Sequence, residues 1–418
     1  MNPLEPVAAH CVRLPVLLAE TTVIQALGTA AVLGIAAVAP AVAASLGVSA
    51  SLIGTQVSLV YVGAMTSSAL AGMLIGVTGP CRAGQIAMLT SGLGALLASG
   101  HALALVALGS LAIGLAYGII NPSASMLLSR HAPARRRNIV FSIKQTGVPI
   151  GGVMVGVVGP PIALAVGWSA LMVLIAAVSV AVAAALEVNR NALDAAMPRN
   201  RTGAMTTLKG LGRIATHGPL ACLSLASFCF SAIQLCLVAF LVVLLVDERD
   251  YSLVDAGIVL AGVQAMGIAG RLLWGLLADA VGSGLKVLTG LALVMALAST
   301  AVAHATPGGG SDALVIGPLL LLGLTGAGWN GVYLSEVARF AAPHDVGPMT
   351  GAAMFVTFAG VLLGPTLFTF AHGVLGSYAE SYWLLAAIGV VGAMLVVATS
   401  VLMRHGPSAA PNETRTHH

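Results

Sequence analysis

The sequence predicts an all-α membrane protein in which twelve transmembrane helices form two pseudo-symmetric six-helix bundles. The composition is the first reason: of 418 residues, 58% are hydrophobic and only 8% are charged, and the mean hydropathy is +1.00. A soluble domain has about 25% charged residues, so this chain cannot cover a water-facing surface. Long apolar runs that recur to the end of the chain are the second reason, because about 20 apolar residues cross a bilayer.

The apolar runs give twelve candidate spans when they are read between polar segments and Gly or Pro breaks. The spans lie near residues 18–43, 50–76, 84–101, 103–128, 138–161, 164–186, 218–246, 254–278, 286–304, 313–338, 347–372 and 380–403. The longest polar interruption falls between the sixth and seventh spans and predicts a linker between two halves. The predicted organisation is a first bundle at 1–186, a cytoplasmic linker at 187–217, a second bundle at 218–403 and a cytoplasmic tail at 404–418.

The distribution of basic residues predicts the topology. If both termini are cytoplasmic, fifteen of the 18 Lys and Arg residues fall in cytoplasmic segments, and only Arg249 falls in an outer loop. The fifteen are Arg13, Arg82, Arg130, Arg135, Arg136, Arg137, Arg190, Arg199, Arg201, Lys209, Arg213, Lys286, Arg339, Arg404 and Arg415. This positive-inside bias predicts a multi-pass protein of a bacterial-type inner membrane with both termini in the cytoplasm.

The two halves resemble each other at fixed offsets. Gly114 and Asn121 in the fourth span correspond to Gly323 and Asn330 in the tenth, each separated by 209 positions. Two six-span halves in the same orientation imply a pseudo-two-fold axis along the membrane normal. That plan is typical of secondary transporters that bind their substrate between the halves near the bilayer midplane.

Two loop sequences carry a family resemblance. The stretch GLLADAVG at 275–282, after the eighth span, resembles the G-x-L-A-D-x-x-G loop signature of the major facilitator superfamily. The stretch GMLIGVTG at 72–79 occupies the equivalent place after the second span, with Gly76 where the family usually has Asp. The stretch GRLLWG at 270–275 also resembles the oxalate/formate and monocarboxylate branches. The resemblance implies a twelve-helix carrier that works by alternating access.

Two basic residues inside spans are the leading site candidates, because ionisable groups in a bilayer cost about 2.5–3.5 kcal/mol on insertion scales. Arg271 lies in the eighth span and Lys144 in the fifth, each roughly 8 Å from the span centre toward the cytoplasm. In the superfamily these helices are neighbours across the two halves, so both cations are expected to bind an anion such as a carboxylate. Alternatively, both side chains snorkel to the cytoplasmic interface.

Polar and aromatic side chains on otherwise apolar helices complete the predicted substrate site. The main candidates are Gln264 on the face of Arg271, Tyr117, Asn121 and Ser125 in the fourth span, and Trp329, Asn330 and Tyr333 in the tenth. Gln25, Gln56, Tyr61 and Gln234 are further candidates. Each of these residues could instead form a hydrogen bond between helices.

A cytoplasmic gate is predicted from the remaining charged residues. Glu336, Asp279 and Arg339 are expected to form an ion-pair gate, with Arg82 on the first half. No acidic residue lies in the middle of a span, so coupling to protons could use the carboxylate of the substrate itself.

The predicted function is secondary active transport of a small organic anion, taken up with protons or by exchange, in a carrier expected to be monomeric. Neither a nucleotide-binding loop nor a zinc or hydrolase motif occurs, so no catalytic residue, cofactor or metal is expected. The net charge of only +4 predicts no nucleic-acid partner. Two alternatives stay open, which are efflux of amphipathic drug-like compounds and a non-transporting receptor on the same fold.

Overall fold

A computed structural model describes residues 13–48, 50–195, 212, 216–304 and 312–405. The helices in the first half are α1 (Leu14–Ala37), α2 (Ala39–Leu46), α3 (Ala50–Thr78), α4 (Pro80–Ala98), α5 (Leu103–His131), α6 (Arg137–Gln145), α7 (Gly147–Val166), α8 (Trp168–Ala185) and α9 (Glu187–Ala195). Those in the second half are α10 (Gly218–Arg249), α11 (Leu253–Val281), α12 (Gly284–Ala303), α13 (Ala313–Gly326), α14 (Asn330–Phe340), α15 (Val346–Leu375) and α16 (Tyr378–His405). Most of the predicted linker and tail, with Arg199, Arg201, Lys209, Arg213 and Arg415, lies outside the described residues.

The predicted spans agree with this helix order. Within the described ranges, eleven helical segments are long and apolar enough to cross a membrane. The segment that falls short is α4, which occupies the place of the third predicted span and carries Arg82 and Gln85 in its first turns. Apolar side chains such as Leu164 and Phe370 are 89% and 73% exposed, as expected for helices surrounded by lipid.

The helices form two bundles. In the first, α4 packs against α5 and α8, and α1 packs against α7. In the second, α12 packs against α16, and α10 packs against α15 and α16. Glycine allows several of these helices to approach closely: a Cβ atom at Gly94 would lie 2.8 Å from the carbonyl oxygen of Gly109 on α5.

Besides the first span, which is divided into α1 and α2 at Val38, two spans each consist of two helices. The fifth consists of α6 and α7, which meet at Thr146, and the tenth consists of α13 and α14, separated by residues 327–329. The second break is packed against α11, because a Cβ at Gly328 would lie 2.6 Å from Cδ1 of Trp274. The break therefore lies next to the turn of α11 that carries Arg271.

The two bundles pack directly against each other on one side of the membrane. We call this the closed side; α3, α5 and α11 end there, and α4, α6 and α15 begin there. A Cβ at Gly72 would lie 2.7 Å from Cβ of Pro348, and a Cβ at Gly275 would lie 2.6 Å from Oγ of Ser142. Both glycines belong to the loop signatures, so the repeated motif has a repeated packing role between the halves.

Candidate functional site

A cavity of about 180 Å³ lies between the two bundles. It extends from Arg271, near the closed side, past Asn121 to Leu33, Val238 and Val361 toward the opposite side. Six of the main substrate candidates line it, Arg271, Gln264, Asn121, Tyr117, Trp329 and Asn330, as do the further candidates Tyr61 and Gln234. Lys144 and Tyr333 do not line it; the Tyr333 hydroxyl lies 3.5 Å from the carbonyl oxygen of Ala353.

Arg271 is the residue of this cavity whose hydrogen bonds are least satisfied. Its side chain is only 2% exposed, yet Nε and Nη1 have no hydrogen-bond partner among the described residues. A buried charge is costly unless it is paired and hydrogen-bonded. The side chain therefore does not snorkel to the interface, and it belongs to a residue that lines the cavity.

Lys144 lies behind the cavity wall, 1% exposed, and binds three amide oxygens. Its Nζ donates to Oε1 of Gln25 at 2.5 Å, to Oδ1 of Asn121, and to Oε1 of Gln145 at 3.5 Å. Asn121 and Gln145 line the cavity, so Lys144 contacts its wall from behind. Lys144 does not snorkel either.

The second half carries the same pair of amides in a different arrangement. Gln234 and Asn330 lie 209 positions after Gln25 and Asn121. Oε1 of Gln234 accepts a hydrogen bond from Nε1 of Trp329 at 3.1 Å and another from Nδ2 of Asn330 at 3.2 Å. The position equivalent to Lys144 is Ala353, so this pair has no protein ammonium between its oxygens.

Aromatic rings join the halves at the level of the cavity. The ring centroid of Phe358 on α15 lies 5.9 Å from that of Tyr61 and 6.0 Å from that of Tyr117. Tyr117 also accepts a hydrogen bond from Nε2 of Gln25 at 3.3 Å. Gln56 is buried without a side-chain partner among the described residues and does not line the cavity.

Several lining residues are absent from the sequence candidates, notably Gln145, Thr357 and Phe358. The internal repeat contains the signal that finds them. Six pairs of lining residues are separated by the same 209 positions, and four of these pairs join the fifth and eleventh spans: Gln145 and Met354, Val148 and Thr357, Pro149 and Phe358, and Gly152 and Val361. Applying the 209-residue offset to the fifth span, as was done for the fourth, would have predicted these lining residues in both halves.

Asp279 on the closed side is a helix cap that crosses between the halves. Its carboxylate accepts hydrogen bonds from the backbone N–H groups of Asn138 at 3.1 Å and Ile139 at 2.9 Å, and from Nδ2 of Asn138 at 2.8 Å. These donors belong to the first turn of α6, where backbone N–H groups lack partners within the helix.

The equivalent place in the other half lacks this cap because the acceptor and one of the donors are both missing. Gly76 stands where Asp279 stands in the second half, so no carboxylate is available. The residue equivalent to Ile139 at the start of α15 is Pro348, which has no backbone N–H to be capped. The loss of the acceptor is matched by the loss of a donor.

The other predicted gate residues form two separate clusters. Glu336 pairs with Arg339 at 3.0 Å and accepts a hydrogen bond from the backbone N–H of Gly284 at 3.0 Å. Arg82 pairs with Glu187 at 3.2 Å, within the first half. The predicted pairing of Glu336 with Arg339 is present in the structure, whereas Asp279 binds α6 instead of joining them.

Arg82 belongs to a polar contact between α4 and α9. Glu187 accepts hydrogen bonds from Nε2 of Gln85 at 2.8 Å and from Nε of Arg190 at 2.6 Å. These hydrogen bonds, with that from Gln85 as the larger cause, lower the pKa of the exposed Glu187 carboxyl. Asp194 adds a cap on α4, because it accepts hydrogen bonds from the backbone N–H groups of Cys81 and Arg82 at 2.8 and 3.1 Å.

Comparison with known proteins agrees with this architecture. The Major Facilitator Superfamily model matches residues 21–365. No curated protein sequence matches the chain. Among solved structures, the E. coli fucose:proton symporter FucP has a TM-score of 0.74 at 16% identity, covering 93% of this chain and 99% of that chain.

Two further solved structures have a similar fold. The human organic anion transporter MFSD10 has a TM-score of 0.75 at 12% identity, covering 92% of this chain and 99% of that chain. The proton:xylose symporter XylE has a TM-score of 0.68 at 16% identity, covering 94% and 96%. The loop signatures, the twofold-repeated helix order and the family match over most of the sequence establish that this chain belongs to the major facilitator superfamily.

Proposed function

We propose that this carrier transports a small organic anion across the inner membrane by alternating access, with protons or by exchange. The observation that carries the proposal is Arg271, a buried guanidinium with two unpaired nitrogens in the wall of the central cavity. A carboxylate fits these donors because a guanidinium presents a planar fork that can bind two oxygens at once.

Lys144 supports an anionic ligand through its charge and through Asn121. Three neutral amides bind its ammonium, so its positive charge has no carboxylate partner among the described residues. Because an ammonium only donates, Asn121 turns its oxygen to Lys144 and its Nδ2 toward Met354 in the cavity wall, 3.9 Å from Sδ. The first half thus has an N–H group rather than an oxygen of Asn121 at the cavity wall, which suits an acceptor-rich anion.

The size of the cavity favours a small solute over a drug-like one. Its 180 Å³ is below the roughly 300–1,000 Å³ of sites that hold drug-sized ligands. The second candidate function, efflux of amphipathic compounds, would need a larger space than this conformation provides.

The related structures support transport and differ in substrate. MFSD10 is described as an organic anion transporter, and FucP and XylE as proton symporters. Proton coupling here would use the carboxylate of the substrate, which can enter the site with its proton.

The basic residues on the closed side support a cytoplasmic position for that side. The conformation described is then outward-facing, and the halves 1–186 and 218–403 would rock about the cavity to expose it inward. Asp279 would hold the closed side shut until the substrate is bound.

The test is a thermal-stability screen of the full chain in detergent with mono- and dicarboxylates, neutral sugars and lipophilic cations. A ligand of the folded state stabilises it by about 2.7 kcal/mol at a hundredfold excess over its Kd. We expect carboxylates to raise the melting temperature and Arg271→Gln to abolish that rise. Lys286→Gln removes one charge from an exposed position and serves as the control, which should keep the full response.

Flux in proteoliposomes then separates transport from binding alone. Uptake of the stabilising carboxylate, lost in Arg271→Gln and kept in Lys286→Gln, would support the carrier. Stabilisation without flux would instead favour a receptor. A response limited to lipophilic cations would refute the anion site and favour the efflux function.

A further inference from the structure

The second half presents a hydrogen-bonding pair whose orientation is fixed by a donor-only group. The indole of Trp329 can only donate, and it donates to Oε1 of Gln234. Gln234 must therefore direct its Nε2 away from Trp329, and both residues line the cavity. Asn330 gives its Nδ2 to the same oxygen, which leaves its Oδ1 as an acceptor without a donor among the described residues.

The internal repeat places this pair across the cavity from the Lys144 network. A pseudo-two-fold axis along the membrane normal preserves depth, so Gln234 and Asn330 lie at the level of Gln25 and Asn121. Lys144 occupies the oxygens of the first pair, whereas the second pair has Ala353 at the equivalent position. In the second pair, Nε2 of Gln234 and Oδ1 of Asn330 therefore remain available to a solute, since neither has a partner among the described residues.

The amide N–H of Gln234 and the amide oxygen of Asn330, on two residues that both line the cavity, select among the groups that a small acid can carry. A second carboxylate only accepts and would meet the oxygen of Asn330 without a donor. An ammonium only donates and would meet the N–H groups of Gln234. A hydroxyl both donates and accepts, so it satisfies both residues at once.

We propose that Gln234 and Asn330, oriented by Trp329, bind a hydroxyl group of the substrate, and that the transported anion is a small hydroxy-carboxylate. This inference rests on the proposed function, in which Arg271 binds the carboxylate. Gln234 and Asn330 are then the residues that determine which small acid is carried, and Trp329 is a positioning residue.

The experiment compares isosteric acids that differ only in their second group. The purified full chain is titrated with butyrate, γ-hydroxybutyrate, γ-aminobutyrate and succinate, and with acetate, glycolate, glycine and oxalate as a shorter series. Affinities are read from the concentration dependence of the melting temperature. We expect the hydroxy acid of at least one series to bind roughly tenfold more tightly than its unsubstituted acid, since one good hydrogen bond has that effect on Kd.

Two variants test the source of that preference. Asn330→Leu should bring the hydroxy and unsubstituted acids to equal affinity while the unsubstituted acid binds as in the wild type. Trp329→Phe keeps a ring but lets the Gln234 amide rotate, so the preference should fall. Trp274→Phe is the matched control, because its Nε1 donates to the carbonyl of Leu324 at 2.8 Å and the residue does not line the cavity.

The outcomes distinguish this inference from the function beneath it. Equal binding of hydroxy and unsubstituted acids by the wild type, lost in Arg271→Gln, would overturn the hydroxyl site and leave the anion carrier standing. Tightest binding of the amino acid or the diacid would overturn it as well. If no acid binds, the anion site fails and this inference with it. The comparison of the acids on the wild-type protein tests the hydroxyl site even if Asn330→Leu does not fold.

Discussion

Asp279→Asn is the substitution that tests the closed side most directly. The carboxylate binds two backbone N–H groups and one side-chain N–H of the opposite half. Hydrogen bonds to charged groups each contribute about 1.5–3 kcal/mol, and an asparagine keeps one oxygen while it turns an N–H group toward the helix end. We expect the substitution to destabilise this conformation by about 2 kcal/mol relative to the opposite access state. That change shifts the equilibrium between the two states about thirtyfold.

The assay is alkylation of Val238→Cys by a membrane-impermeant maleimide, in a background whose native cysteines are replaced by serine. Val238 lines the cavity toward the side opposite the closed side, so it reacts only while the cavity is accessible from that opposite side. The Asp279→Asn change should slow this reaction, while Ala102→Cys, in an exposed loop, should react at an unchanged rate. An unchanged rate at Val238→Cys would refute the assignment of Asp279 as the residue that holds the closed side together.

The reverse change tests why the first half has no such cap. Gly76→Asp alone should have little effect, because Pro348 offers no N–H at the equivalent position. Gly76→Asp combined with Pro348→Ala restores both partners and should slow opening of the closed side. If the single change slows opening as much as the pair, the matched loss of acceptor and donor is not the explanation.

Three further outcomes are expected. Lys144→Gln should weaken anion affinity about tenfold or more, because it removes a charge behind the wall and frees Asn121 to turn; isothermal titration with the best carboxylate measures it. Gly275→Val should push α11 away from Ser142 and reduce labelling of Val238→Cys, whereas the same change at exposed Gly257, against which nothing packs, should not. The pKa of Glu187 is lowered in the fold, so its contacts should be complete above the pKa of an unfolded Glu and be lost as pH falls through the lowered value. Hydrogen exchange of α9 should therefore rise in acid. In Glu187→Gln the exchange should already be high and should not rise further.

The fold could be predicted from the sequence because lipid demands long apolar helices, and polar interruptions are rare enough to count. Arg271 could be predicted to line the cavity because a charged residue inside a membrane span is costly and rarely faces lipid. The role of Lys144 could not, because its direction depends on the end of α6 at Thr146 and on which amide oxygens lie within reach. Asp279 was recognisable as a motif residue, but its partner is a helix end on the other half, which only the packing of the halves reveals.

The differences between the two repeats explain the site better than their likeness does. Both halves keep a Gln and an Asn at equivalent positions, and a transporter with full symmetry would offer its solute two identical walls. Here Lys144 binds the amide oxygens of the first pair, while Trp329 binds only one oxygen of the second. The first wall therefore carries the N–H group of Asn121 with a positive charge behind it, and the second carries both an amide donor and an amide acceptor. In the proposed function, a solute that satisfies both walls carries an anionic group at one end and a neutral polar group at the other, which gives it one preferred orientation in the cavity.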